Sequence, residues 1–244
     1  FTNKKARMIG ILKNITYLRI ETKNSKRPTI MKKITVPKIA PSCICPEELE
    51  KIFSTLAPNA IDCCNWPKDF PYTPEVSVKL FHDGKKLYLK FDVVENNIHT
   101  LVTEDFGKVW TDPCVEFFVS PEGNMDYYNF ECTCIGKMLM AWHPEGEAKE
   151  NAPLSLLDTI VRLPSLGSEN FPLREGETAW SLIEIIPIEA LFRSGLDCWC
   201  GKRMRANFYK CGDHTASPHW GSWVPMPRLD FHDPDSFGTF IITE

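Results

Sequence analysis

The chain has no run of eighteen apolar residues, and its longest apolar stretches are broken by charge or proline within about ten positions. That excludes a membrane-spanning helix. It also has no Cys-x-x-Cys pair among its ten cysteines, which removes the usual zinc-knuckle spacing, and no Cys-x-x-Cys-His site for attaching haem. Internal repeats, low-complexity tracts and EF-hand loops are missing as well. Secretory patterning is absent from both candidate starts: Ile9-Gly10-Ile11-Leu12 after Met8 is stopped by Lys13, and the chain after Met31 runs quickly into Pro37 and Pro41. The expectation is a cytoplasmic protein whose thiols stay reduced.

Positive charge is scarce outside the first thirty residues. Residues 1–30 carry eight Lys/Arg against one Glu, whereas the rest carries 20 basic against 31 acidic side chains. Such a body repels a phosphate backbone, so nucleic acid is not an expected partner. The basic start lacks aromatic interleaving beyond Tyr17 and begins on Phe1; it reads as translated upstream or disordered sequence, with Met31 as the natural start. Residues 31–60 read as an N-terminal extension with a short helix, and 61–244 as one domain.

What is present is period two. In Pro46–Leu56, Leu49, Ile52, Phe53 and Leu56 have helical spacing behind Glu47 and Glu48. After Pro58 the pattern alternates. Val76–Phe81 and Leu87–Val93 flank His82-Asp83-Gly84, a hairpin signal because glycine supplies the positive φ of a tight turn. Further strands are expected at Val115–Val119, Tyr127–Cys134, Lys137–Trp142, Thr159–Leu163, Trp180–Ile186, Arg203–Lys210 and Phe237–Thr243, with one helical turn at Ile188–Phe192. Many short strands with almost no helix between them indicate an all-β, antiparallel sandwich of immunoglobulin-like or jelly-roll type. Trp180–Ile186 is apolar on both parities, as in a strand covered on both faces, so Glu184 reads as structural.

Aromatic residues sit beside polar loops. Trp110 precedes Thr111-Asp112-Pro113, Trp220 and Trp223 flank Gly221-Ser222, and Phe231-His232 lies in a Pro-rich stretch. Sugars offer flat C–H faces to such rings and hydroxyls to neighbouring carboxylates, so this pattern suits a saccharide site. Core packing is the competing explanation for each ring.

Trp110-Thr-Asp-Pro-Cys-Val-Glu116-Phe-Phe-Val119, Asn207-Phe-Tyr-Lys-Cys-Gly-Asp213, Pro218-His219, Ser222-Trp223 and Phe231-His-Asp-Pro-Asp-Ser-Phe237-Gly238 occur in that order. Together they resemble the family 9 carbohydrate-binding modules, in a family-9-like branch, over about residues 61–244. The resemblance implies a non-catalytic β-sandwich that grips a sugar chain between two rings, holds structural calcium and works alongside glycoside hydrolases. It matches Trp110 to the first stacking ring and Glu116 to a sugar-bonding carboxylate, with Phe231 at the second ring position, where the best-known members have tryptophan, and Trp220 or Trp223 as alternatives. Glu131 falls near a family arginine, which reverses the charge. Independently of the resemblance, Glu116 has opposite parity to Val115 and Phe117, so its carboxylate should leave the core.

Four other readings stay open. Glu116, Glu131 and Glu184 on strands could supply a hydrolase carboxylate pair. Cys211, His214, His219 and His232 are four soft ligands within 22 residues, and Met138, Met140 and His143 invite a haem. For calcium, Asp83 and Asp126 are the acids considered, without any loop spacing to support them.

Overall fold

The computed structural model describes residues 32–121 and 123–244. The basic segment 1–30 and Met31 lie outside the described residues. Among the described residues, fourteen strands form two sheets. The larger runs β1 (Lys33–Val36), β14 (Gly238–Ile242), β12 (Arg203–Cys211), β6 (Cys114–Ser120), β7 (Tyr127–Thr133), β8 (Met138–His143) and β9 (Glu150–Asn151), with β13 (Trp220–Ser222) on β12 and β3 (Cys63–Cys64) on β13. The smaller runs β10 (Val161–Pro164), β11 (Arg174–Pro187), β5 (Lys86–Ile98), β4 (Glu75–His82) and β2 (Asn59–Ala60). Neighbours are antiparallel except β1 and β14, which are parallel.

The alternating strands meet face to face. Val115, Phe117, Val119, Phe130 and Phe208 of the larger sheet pack against Leu87, Leu89, Phe91, Val93, Leu182 and Ile186 of the smaller. Phe91 reaches across to Phe208 at 6.4 Å between ring centroids. The β4–β5 hairpin turns where expected: Gly84 has φ +102°, and Asp83 Oδ1 accepts the Lys85 and Lys86 N–H groups at 2.8 and 2.7 Å.

Helix α1 (Pro46–Ser54) covers the back of the smaller sheet, setting Leu49, Ile52 and Phe53 against Phe81, Tyr88, Ile183 and Ile185. Both faces of β11 are therefore apolar and covered. The segment read as an N-terminal extension is woven into the domain: β1 extends the larger sheet and α1 caps the smaller. A second short helix, α2 (Leu154–Leu157), and single 3-10 turns at Val109–Thr111, Ile188–Ala190 and Pro234–Ser236 complete the elements of the described residues. Cys43 and Cys45 bring their sulfurs into contact on the segment before α1.

A buried ion pair ties the sheets together. Lys210 on β12 points inward, opposite in parity to Tyr209 and Cys211, and meets Glu95 of β5 at 3.0 Å, both 1% exposed. Its ammonium also donates to the Cys211 carbonyl and to His219 Nε2, each at 2.9 Å, so all three N–H groups are used. Trp180 Nε1 donates to the other Glu95 oxygen at 2.7 Å. Asn207 holds Val224 through both polar atoms of its amide. Lys210, Asn207 and His219, which lie in the motifs at Asn207–Asp213 and Pro218-His219, thus act in building the sandwich.

Candidate functional site

The site lies on the outer face of the larger sheet. Glu116 on β6 stands in register between Tyr209 of β12 and Glu131 of β7. As parity requires, it faces away from Phe117 and the core. It is nevertheless only 3% exposed, because Met226, Phe231 and Phe237 from the returning C-terminal loop cover that face together with Phe118, Tyr127 and Tyr209. Glu116 Oε1 accepts the Cys211 thiol at 3.0 Å, while Oε2 is buried with no hydrogen-bond partner. Burial, then the facing Glu131 carboxylate, pushes its pKa well above the usual range.

Glu131 is 5% exposed and accepts the Asn129 amide at 2.6 Å; burial raises its pKa to about 7, opposed by that amide and by Lys149. Asp213 follows β12 in a turn stitched to the Trp110 turn: Asp213 N donates to Trp110 O and His214 N to Thr111 O, each at 3.0 Å. Burial lifts Asp213 to about 6 against hydrogen bonding from Trp220 and the charge of His214. Three carboxyl groups thus share one patch, each held toward its protonated form.

The rings converge on this patch. Trp110, Trp220 and Phe231 are partly buried and pack on one cluster with Val102, Val109, Cys114, Leu139 and Cys211. Asp112, 1% exposed, fixes the Trp110 turn by accepting Leu101 N and Val102 N at 2.8 and 2.9 Å. Phe231 stacks on Tyr209 at 4.2 Å between centroids, almost parallel, directly beside Glu116. Trp223 does not belong with them. It is 4% exposed, contacts Phe208 at 5.8 Å and closes against Gly238, where a Cβ would come within 2.6 Å of its ring. It is a core residue, which corrects its place among the sugar-binding candidates.

The other constellations are not assembled. Glu184 faces the interior, on the opposite side of the larger sheet from Glu116, so the three strand glutamates do not converge. Met138 and Met140 are fully buried in the core while His143 points to the other face, where it stacks on Tyr127. His219 lies by Lys210 and His232 by Tyr127, so the four soft ligands are dispersed. Cys114, Glu116 and Cys211 do bring ligand atoms within 4.8 Å of one another, a soft set unlike calcium's oxygen cage. Asp83 has both oxygens committed to protein donors and does not suit calcium, and Asp126 has one oxygen engaged by Glu145 N. A shallow hollow of 330 Å³ on the smaller sheet, lined in part by Glu75, Ser77, Asp92 and Ser181, borders only one aromatic ring, Trp180, which is 3% exposed.

The model of carbohydrate-binding family 9 matches residues 46–242. The chain belongs to that family. Family 9 is a family of non-catalytic carbohydrate-binding modules, which sets aside the hydrolase reading of the glutamates. A candidate carbohydrate-binding protein from Bacteroides uniformis ATCC 8492 is similar over 86% of this chain and 99% of its own, at 39% identity and a TM-score of 0.80. Family 9 modules from Caldicellulosiruptor kristjanssonii, solved with cellotriose and with glucose, share the fold at 12% and 13% identity, with TM-scores of 0.52 and 0.51; each match covers 87% of this chain, and 94% and 96% of theirs. The curated proteins give no match. Within this family 9 module, the sequence marked Trp110, Glu116, Trp220 and Phe231, which the fold does bring together. It did not mark Asp213 or Tyr209 as site residues, although both lie within the Asn207–Asp213 motif.

Proposed function

We propose that this module binds an oligosaccharide on the outer face of its larger sheet, with Trp110 as the main stacking plate, Phe231 and Trp220 closing the other side, and Glu116, Glu131 and Asp213 as hydroxyl partners. The observation that carries this reading is the convergence of three partly buried rings on a patch whose Glu116 oxygen lacks a donor. Stacking removes apolar C–H surface from water, while hydroxyls supply the hydrogen bonds that the buried carboxyl groups lack. Carboxyl groups whose protonated form burial favours can both donate to and accept from a neutral sugar. Phenylalanine at 231 makes a smaller plate than tryptophan. Glu131, an acid near the position that the resemblance gives to a family arginine, supports a ligand other than the reducing end of a gluco- or xylo-oligosaccharide.

A role beside polysaccharide hydrolases and a loop-stabilising calcium ion belong to the same proposal and rest on family membership. The test is a glycan array on residues 31–244, then isothermal titration of the selected oligosaccharide against wild type, Trp110→Ala and Phe231→Ala. Loss of affinity with unchanged melting temperature supports the site; unchanged affinity in both variants removes it.

A further inference from the structure

The loop between Ala190 and β12 carries two half-buried thiols, Cys198 and Cys200, on either side of Trp199. Trp199 is fully buried, and its backbone N–H donates to Gly84 O at 2.8 Å. Lys85 Nζ holds the same loop through Asp197 O at 2.7 Å. Pinned in this way, both sulfurs converge on the bare glycine of the β4–β5 hairpin. A Cβ at Gly84 would lie 3.0 Å from Cys200 Sγ, 3.9 Å from Cys198 Sγ and 3.9 Å from Lys38 Cε. Cys200 N also donates to Cys198 Sγ at 3.0 Å. We propose that Cys198-x-Cys200 is a thiol–disulfide exchange site, with Cys200 as the attacking thiol, Cys198 as the resolving thiol and a low-molecular-weight disulfide of the glutathione type as co-substrate.

The charges around the pair favour that division of roles. The Cys198 thiol hydrogen-bonds to Cys200, and the Lys38 ammonium stands beside it; together they lower the Cys200 pKa, while burial and the adjacent Cys200 raise that of Cys198. Lys85 adds positive charge near Cys198, and the acids on the surrounding elements are Asp83 beside Gly84, Asp197 on the loop, and Glu244, whose carboxylate approaches Gly201. Among the other thiols, Cys114, Cys132, Cys134 and Cys211 are buried, half-buried Cys63 has a raised pKa, and half-buried Cys64 donates to Phe70 O at 3.5 Å, which leaves Cys63 and Cys64 as the internal comparators.

The exchange balances in two steps. The Cys200 thiolate attacks one sulfur of the glutathione disulfide, forming a mixed disulfide and expelling one glutathione thiolate. Cys198 then loses its proton to solvent and attacks Cys200 Sγ, expelling the second glutathione thiolate. The dithiol is oxidised by two electrons and the glutathione disulfide is reduced to two thiols.

The test incubates the folded chain with glutathione disulfide and maps each cysteine by peptide mass spectrometry over time. Wild type should convert the Cys198–Cys200 peptide to an internal disulfide that retains no glutathione. Cys198→Ser should retain one glutathione on Cys200, Cys200→Ser should slow modification of that peptide about tenfold, and Lys38→Gln should slow it several-fold. Modification of Cys200 no faster than that of Cys63 and Cys64, or a Cys198→Ser chain that retains no adduct, would overturn the proposal.

Discussion

Replacing Lys210 by methionine keeps an unbranched chain, one heavy atom shorter, and removes the charge and its three donors. Glu95 would be left 1% exposed inside the sandwich, with the Trp180 indole as its hydrogen-bond donor and His219 Nε2 at 3.6 Å, and the Cys211 carbonyl and His219 Nε2 would each lose the hydrogen bond from Lys210. An exposed ion pair is worth about 0–1 kcal/mol, but stripping one partner from a buried pair costs roughly 3–5 kcal/mol, because the remaining charge has neither water nor a counterion. In a domain of this size 1 kcal/mol lowers the melting temperature by roughly 2–4 °C, so the drop should be on the order of 6–20 °C. Urea and thermal melts of Lys210→Met, Glu95→Leu and the double variant form the assay. The double variant should lose less than Lys210→Met alone, since no charge is then buried unpaired. A single-variant loss below about 1 kcal/mol, or strictly additive losses in the cycle, would refute the argument that this pair joins the sheets.

Three further outcomes follow from the same geometry. Trp110→Ala should weaken oligosaccharide binding by about 1–3 kcal/mol, roughly ten- to hundredfold in Kd, without a collapsed melt, as read by titration and calorimetry. Burial holds Glu184 at a pKa of about 8, so the folded state keeps a proton that the unfolded chain releases above about 4.5; stability is lost as pH rises through that window. Glu184→Gln should therefore raise the melting temperature at pH 8, change it little at pH 4 and leave sugar binding intact; equal effects at both pH values would count against this. Calcium should raise the melting temperature and excess chelator should lower it, and a melt indifferent to both would remove the ion from the proposal.

Local pattern revealed most of the strands, the Asp83-Gly84 hairpin and the outward parity of Glu116, because each depends on neighbours within a few residues. Strand β1, with only four residues, was not separable from loop, since its partner β14 lies two hundred positions away. The burial of Glu116 was equally hidden, since the loop that covers it returns from beyond residue 225. The inward turn of Trp223 is legible in its position three residues from Trp220, an odd spacing that sends two side chains of an extended segment to opposite faces. Trp220 pairs with Cys211 on the outer face, and Trp223 turns into the core. The same alternation governs β12, where Phe208 and Lys210 enter the sandwich while Tyr209 and Cys211 face the site. One contiguous motif therefore serves both fold and site, and its presence alone is stronger evidence for the sandwich than for the sugar. The case for binding rests instead on the residues that the sandwich has no structural need to gather: Trp110, Trp220 and Phe231 left partly open above three carboxyl groups that burial penalises. A fold selected for stability alone would fill that patch with apolar side chains, so the cost of keeping it acidic points to a ligand whose hydroxyls offset it.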